Sequence, residues 1–332
     1  MLSRVADSIY WMARYIERAE NVARFIHVNL NLALDLGPEL EQWAPLIFTT
    51  GDENTFLERY PVASRETVIQ FLTLDDENPN SILSCLRAAR ENARTVRDII
   101  SSEMWEELNK FYLMVCDAAK EAGAAESPFE FYGKIKGHGA MLEGLAETTM
   151  SRGEAWHFRR LGRLIERAEK TSRILDVKYY LLLPTAADVG TPLDTNQWTA
   201  LLKSASALEM YRKRHGRITP EEVAEFLILD RDFPRSMHFC LIRAEQSLVA
   251  ITGGGPTTIR TSAEQRLGRL RAELDYASIQ EIIGGGLHEF IDAFQVKLNA
   301  VGAAIFETFF AVQPVAGGFA GAGSGQGQQS NA

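Results

Sequence analysis

The stretch 15-YIERAENVAR-24 returns almost letter for letter as 164-LIERAEKTSR-173. Both copies lie inside runs whose apolar residues recur at helical spacing. In the first, Ile9, Ala13, Ile16, Ala23, Ile26, Leu30 and Ala33 share one face, and the run stops at Gly37-Pro38. Residues three and four apart share a helix face, so Arg14, Glu17, Arg18 and Asn21 form a polar stripe. Glu20 falls between Ile16 and Ala23 on the apolar stripe, with Arg24 one turn on; Glu169 repeats this between Ile165 and Ser172, with Arg173 as its partner. A carboxylate among aliphatic neighbours loses its water at a cost of several kcal/mol, so it must pair, protonate or line a wet cavity.

The repetition extends beyond this motif. At an offset of 149, Arg14, Ile16, Glu17, Arg18, Ala19, Glu20 and Arg24 meet Arg163, Ile165, Glu166, Arg167, Ala168, Glu169 and Arg173. At an offset of 155, 71-FLTLDDENPNSILSCL-86 meets 226-FLILDRDFPRSMHFCL-241, and Gln42-Trp43 meets Gln197-Trp198. Blocks in the same order at nearly one offset imply a duplicated helical unit, since solenoid repeats run only about 20–50 residues. The expected fold is all-α, with two pseudo-equivalent helical-bundle halves, 1–150 and 151–316, packed as one unit, and a disordered Gly-rich tail over 317–332.

Helices are expected from Ser81 through 82-ILSCLRAARENARTVRDII-100, from Ser101 to a stop at Gly123, over Phe129–Met150, and through 151–183 to Pro184. Further helices are expected over Gln197–Ala207, Pro220–Leu229 after a Thr219 cap, Pro234–Thr252, Thr261–Glu273 and Ser278–Val312. No alternating strand pattern competes with them.

A formal charge of −9 and a pI near 5.3 argue against non-specific binding to nucleic acid or anionic lipid. Cys85, Cys116 and Cys240 make no metal-like or CxxC cluster and read as buried thiols of a reducing compartment. Asp7, Arg14, Glu17 and Arg18 interrupt any leader-like run, and Glu307, Gln313 and Pro314 break the most apolar stretch, Leu298–Gly317. A soluble, cytoplasmic protein without a membrane span is expected. The residues allow, without requiring, a homo-oligomer.

Three chemistries suit the repeated motif. One is a structural ion network fixing helix register. Another is a pocket whose Glu and Arg side chains bind a charged molecule. The third is catalysis, with Glu20 or Glu169 carrying a raised pKa and moving a proton while arginines hold an anion. A second charged run places Arg87, Arg90, Arg94 and Arg97 along one stripe, which suits an anion, the glutamates of the first helix or, as most such runs do, a solvated face. Other templates fail. Glu154 and His157 form one Glu-x-x-His pair, but their counterparts at the offset of 149 are Val5 and Ser8, so a di-iron set is incomplete and no metal or cofactor is expected. The glycine clusters 251-ITGGGPTT-258 and 282-IIGGGLHE-289 lack the Gly-Lys-Ser/Thr of a phosphate loop and read as loops or helix breaks.

The opening 1-MLSRVADSIYWMARYIERAENVARF-25, the central 89-ARENARTVRDIISSEMWEELN-109 and the later 160-RLGRLIERAEKTSRILDVKYYLLLP-184 resemble the alpha-E domain family of bacterial all-helical proteins. The resemblance covers residues 1–312. It implies partnership with a circularly permuted ATP-grasp ligase and a transglutaminase-like protein, beside which family members are usually encoded, in a pathway forming or trimming peptide or amide bonds. Carried over by position, the motif residues are Arg14, Glu17, Arg18, Glu20, Arg163, Glu166, Arg167 and Glu169, with Glu103, Trp105 and Asn109 in the middle motif. The expected role is a non-catalytic or accessory component holding an acidic or peptidic substrate. The alternatives are an enzyme of that pathway or a helical scaffold.

Overall fold

The computed structural model describes residues 1–36, 42–120, 127–180, 190–254 and 259–311. The expected helix stops at Gly37-Pro38, Gly123 and Pro184, and the tail 317–332, lie outside these. Among the described residues the chain forms fifteen α-helices and no strand. In order they are α1 (Ser3–Leu36), α2 (Ala44–Thr50), α3 (Glu53–Arg59), α4 (Arg65–Thr73), α5 (Ile82–Thr95), α6 (Ser102–Lys120), α7 (Pro128–Thr149) and α8 (Glu154–Tyr180). There follow α9 (Pro192–Ser204), α10 (Leu208–Arg214), α11 (Pro220–Leu229), α12 (Met237–Thr252), α13 (Ser262–Tyr276), α14 (Ile279–Gly285) and α15 (Leu287–Ile305). One π-helical turn, Phe306–Phe310, closes the bundle.

Helices α1 and α8 form the centre and lie side by side in the same direction. Met1 N meets Glu154, Tyr10 meets Gly162, and Glu17 meets Arg167. A Cβ at Gly162 would overlap the Tyr10 carbonyl oxygen, so a residue without a side chain lets the two backbones touch. Around this pair α5 and α7 flank α1, while α12 and α15 flank α8; α6 bridges α5 and α7, and α13 bridges α12 and α15. Because α1 is covered on nearly every side, Ala6, Ile9, Met12, Ala19, Val22, Ala23, Ile26 and Leu30 are all buried, a ring wider than one amphipathic stripe.

Local chemistry sets most helix starts. Ser81 accepts from Ser84 N at the start of α5, and Ser236 accepts from Phe239 N at the start of α12. Thr219 caps α11 with Pro220 in the first turn, and Thr261 and Ser278 form reciprocal capping boxes with Glu264 and Glu281. The expected helix starting at Ser81 ends at Thr95, because Val96–Ile99 turn the chain toward α6. The single helix expected over Ser278–Val312 is two, broken at Gly286, whose φ of +98° no L side chain adopts comfortably. Helix α9 starts at Pro192, ahead of Gln197. Helices α2, α3, α4 and α10, of seven to nine residues, are too short to show periodicity and escape a sequence reading.

Cys85 and Cys240 are buried free thiols, each directed at a proline carbonyl (Pro79 and Pro234) 3.7 Å away, whereas Cys116, expected to be buried with them, is only partly covered. Burial pushes the Cys85 and Cys240 thiols up to about 12, so they stay protonated and behave as small apolar groups. Among the described residues no helix is long and apolar enough to cross a membrane.

Candidate anion-binding cavity beside the Glu-Arg seam

The polar stripes of α1 and α8 face each other. Glu166, fully buried, accepts from Arg18 Nε (2.7 Å) and Nη2 (3.0 Å) and from Arg14 Nε (2.8 Å). Glu17, 2% exposed, accepts from Arg167 Nε (2.8 Å) and Nη2 (2.7 Å) and from Arg235 Nη1 (3.0 Å). Each central helix thus neutralises the other's glutamate through a two-pronged guanidinium contact. Burial alone would raise both carboxyls. At Glu17, Arg167 and Arg235 overcome it and hold the group well below the usual carboxylate range; at Glu166, Arg18, Arg14 and Lys170 do the same. The most buried glutamates are therefore Glu17 and Glu166, not the apolar-stripe pair expected from periodicity. Packing α1 against α8 turns the stripe carrying Glu17 inward.

Glu20 and Glu169 form a second tier. Glu20 Oε1 accepts from Arg24 Nη2 and from Arg235 Nη2 (2.7 Å), and the residue is 7% exposed. Glu169 accepts from Arg14 Nη2 (3.1 Å) and Arg173 Nε (3.1 Å). The Glu169 carboxyl is lowered: Lys170 and Arg14 outweigh burial and the repulsion of Glu166. This overturns the raised pKa expected of Glu169, because guanidinium and ammonium groups crowd it. Arg24 also donates to Ser206 Oγ, and Arg173 lies against Gly51; both are left-handed residues, φ +50° and +79°.

On the Glu20 side, a cavity of about 380 Å³ opens between α1, α7 and α8. It is lined by five arginines, Arg24, Arg159, Arg163, Arg167 and Arg235, against three glutamates, Glu17, Glu20 and Glu143. Glu143 is shared between Arg159 (2.7 Å) and Arg163. A further carboxylate, Glu147, reaches Arg159 only at 3.5 Å from the rim, where it also pairs with Arg152. The Nε groups of Arg24, Arg159 and Arg163 are buried and, among the described residues, have no hydrogen-bond partner. Burial, together with the charges of Arg167 and Arg159, pulls the Arg163 guanidinium down to about 10 despite Glu143. Arg24 is lowered by burial and by Arg235, and Lys136 by burial and by Arg24. In each case burial is the larger cause, and the neighbouring cations add to it.

A second cavity, of about 270 Å³, lies at the α8–α15 side, with Tyr10, Trp11, Arg14, Glu169, Phe306 and Phe310 in its wall. Its guanidinium is satisfied: Arg14 pairs with Glu166 and Glu169 and lies 4.9 Å from the Trp11 ring centre. The excess charge belongs to the first cavity.

The remaining candidates lie elsewhere. Arg87 and Arg94 are exposed, and Arg94 pairs with Glu91. Arg90 donates to Asn109 Oδ1 (2.8 Å), and both Arg90 and Arg97 cover Trp105. The expected four-arginine stripe is thus not assembled: α5 ends before Arg97, and the others are spent on α6 or on solvent. Glu154 pairs with the Met1 ammonium rather than with His157.

Sequence reasoning missed Arg235, Arg159 and Glu143. Arg235 sits where the offset of 155 puts Asn80, and the two act at corresponding places: Arg18 Nη1 donates to Asn80 Oδ1 (2.7 Å), while Arg235 donates to Glu17. That alignment held a signal. Arg159 and Glu143 carry none, since only packing of α7 on α1 and α8 brings them together.

Three uncharacterized proteins are similar to this chain, one of Mycobacterium bovis and two of Mycobacterium tuberculosis. They are 23%, 23% and 22% identical over 322 residues, which is 85% of this chain and 35% of each relative. The chain therefore spans about a third of the length of these relatives. No solved structure matches it. A family model described as a predicted alpha-helical domain with a conserved ER motif matches residues 1–310. Glu17-Arg18 and Glu166-Arg167, the two Glu-Arg dipeptides of the seam, fit that description, and the chain belongs to the Alpha-E family.

Proposed function

We propose that this protein is an accessory, binding component of an ATP-grasp peptide- or amide-ligase system, and that it holds an acidic or peptidic substrate in the cavity beside Glu20. The observation that carries the binding role is the surplus of guanidinium groups over carboxylates in the cavity wall, with three buried Nε donors left unpartnered. Buried donors of this kind are costly unless a ligand or water satisfies them. The seam does a further job: Glu166, buried against Arg14 and Arg18, and Glu17, paired with Arg167 and Arg235 at the cavity wall, fix the register of α1 on α8. The ligase and a transglutaminase-like protein are the proposed partners, on the strength of the resemblance, and the cytoplasm the proposed compartment.

We further infer that the two halves descend from a duplication. The reciprocal pairs Arg18–Glu166 and Arg167–Glu17, and the left-handed Gly51 and Ser206 facing Arg173 and Arg24, support that origin. The functional reading is tested by co-purification with the ligase and by ligase turnover with and without this chain. Faster or more complete product formation on adding the chain is expected; unchanged turnover and no co-purification overturn the partnership.

A further inference from the structure

We infer that the cavity takes an acidic α-amino compound, two carboxylates and one free ammonium, with L-glutamate as the simplest member. The inference rests on the cavity reading above and specifies its ligand. Five arginines against three glutamates leave a formal excess of two positive charges; the two carboxylates of such a compound answer them, and with its ammonium counted the ligand brings a net charge of −1. The Nε groups of Arg24, Arg159 and Arg163 are covered by protein atoms here, and a turn of these wall guanidiniums presents them as donors that suit carboxylate in a forked geometry.

The third group is recognised by Glu20. Its Oε1 receives Arg24 and Arg235, while Oε2 receives no donor among the described residues. Gly139 makes room for that oxygen, since a Cβ there would lie 2.9 Å from Oε2. A carboxylate oxygen left free beside surplus arginines repels a simple anion but accepts a hydrogen bond from an ammonium. The wall also carries Met12, Ile16, Met104 and Leu142, a surface that methylene groups cover and inorganic phosphate does not. At about 380 Å³ the cavity is near the lower end of small-molecule sites, roughly 300–1,000 Å³, and suits an amino acid or the end of a short peptide.

The test is calorimetric titration of the full chain with L-glutamate, glutarate and inorganic phosphate. L-glutamate is expected to bind at least ~10-fold more tightly than glutarate, the difference a charge-assisted hydrogen bond supplies. Arg163→Gln should weaken L-glutamate and glutarate alike by ~10-fold or more, and Glu20→Gln should bring L-glutamate down to the level of glutarate. Circular dichroism melts check that both variants fold; should Glu20→Gln not fold, the wild-type comparison of L-glutamate with glutarate decides. Equal binding of those two, or binding of phosphate alone, overturns the amino-acid assignment and leaves the anion cavity standing. No binding of any of the three at ~10 mM overturns both, whatever the ligase experiment gives.

Discussion

Replacing Glu166 with glutamine removes the one negative charge that Arg14, Arg18 and Lys170 share at a fully buried position. The amide keeps the volume and one acceptor, so the loss is electrostatic. Breaking a buried ion pair from one side costs about 3–5 kcal/mol, because the partner charges stay buried. Arg18 is left without a carboxylate and Arg14 and Lys170 with Glu169 alone, and neither guanidinium deprotonates near neutrality, so the upper half of that range is expected. At about 2 °C per kcal/mol for a chain of this size, the midpoint of thermal unfolding should fall by roughly 8–10 °C. Urea unfolding followed by circular dichroism gives the free energy. The exposed control Glu91→Gln should change it by less than ~0.5 kcal/mol. Adding Arg18→Gln to Glu166→Gln should recover part of the loss, since it removes a cation the first change orphaned. A loss below ~1 kcal/mol for Glu166→Gln, or fully additive losses in the double variant, would refute the seam as an ion network.

The same network fixes the acid limit. Glu17 and Glu166 are held below their unfolded value of 4.5, so their stabilisation is complete above that pH and disappears as pH falls through the lower folded values. Stability should be flat from neutral pH to about 5 and fall steeply below 4.5 in acid titrations of the unfolding midpoint; a decline starting near pH 6.5 would contradict it. Gly162→Ala should destabilise by ~2–4 kcal/mol, because its methyl overlaps the Tyr10 carbonyl, whereas Gly144→Ala, with open space around it in α7, should stabilise by ~0.5–1 kcal/mol in the same thermal assay. Thr261→Ala removes one side of the α13 capping box and should cost ~1 kcal/mol by urea unfolding.

The helical class, the long helices and their caps were legible because apolar spacing and Ser, Thr and Pro at helix starts are local signals. The need of Glu20 and Glu169 for arginine neighbours was legible too, and Arg24, Arg235, Arg14 and Arg173 meet it. What escaped depends on contacts between distant segments. Glu17 falls on the polar stripe of a helical wheel, and only the pairing of α1 with α8 buries it. Arg87 and Arg94 were candidates for an anion or for the glutamates of the first helix, and spacing alone cannot tell either from the exposed face on which they lie. The cavity was invisible, since α7 brings Glu143 and α8 brings Arg159 to a place that neither segment specifies alone.

A crystal structure of the protein grown with L-glutamate tests the central claim most directly, because the claim places an anion among Arg24, Arg159 and Arg163. The account predicts density for a carboxylate within hydrogen-bond distance of Arg163, with the Arg159 and Arg24 side chains turned toward the ligand. Water alone in the cavity, with Arg163 swung out to bulk solvent, would contradict it.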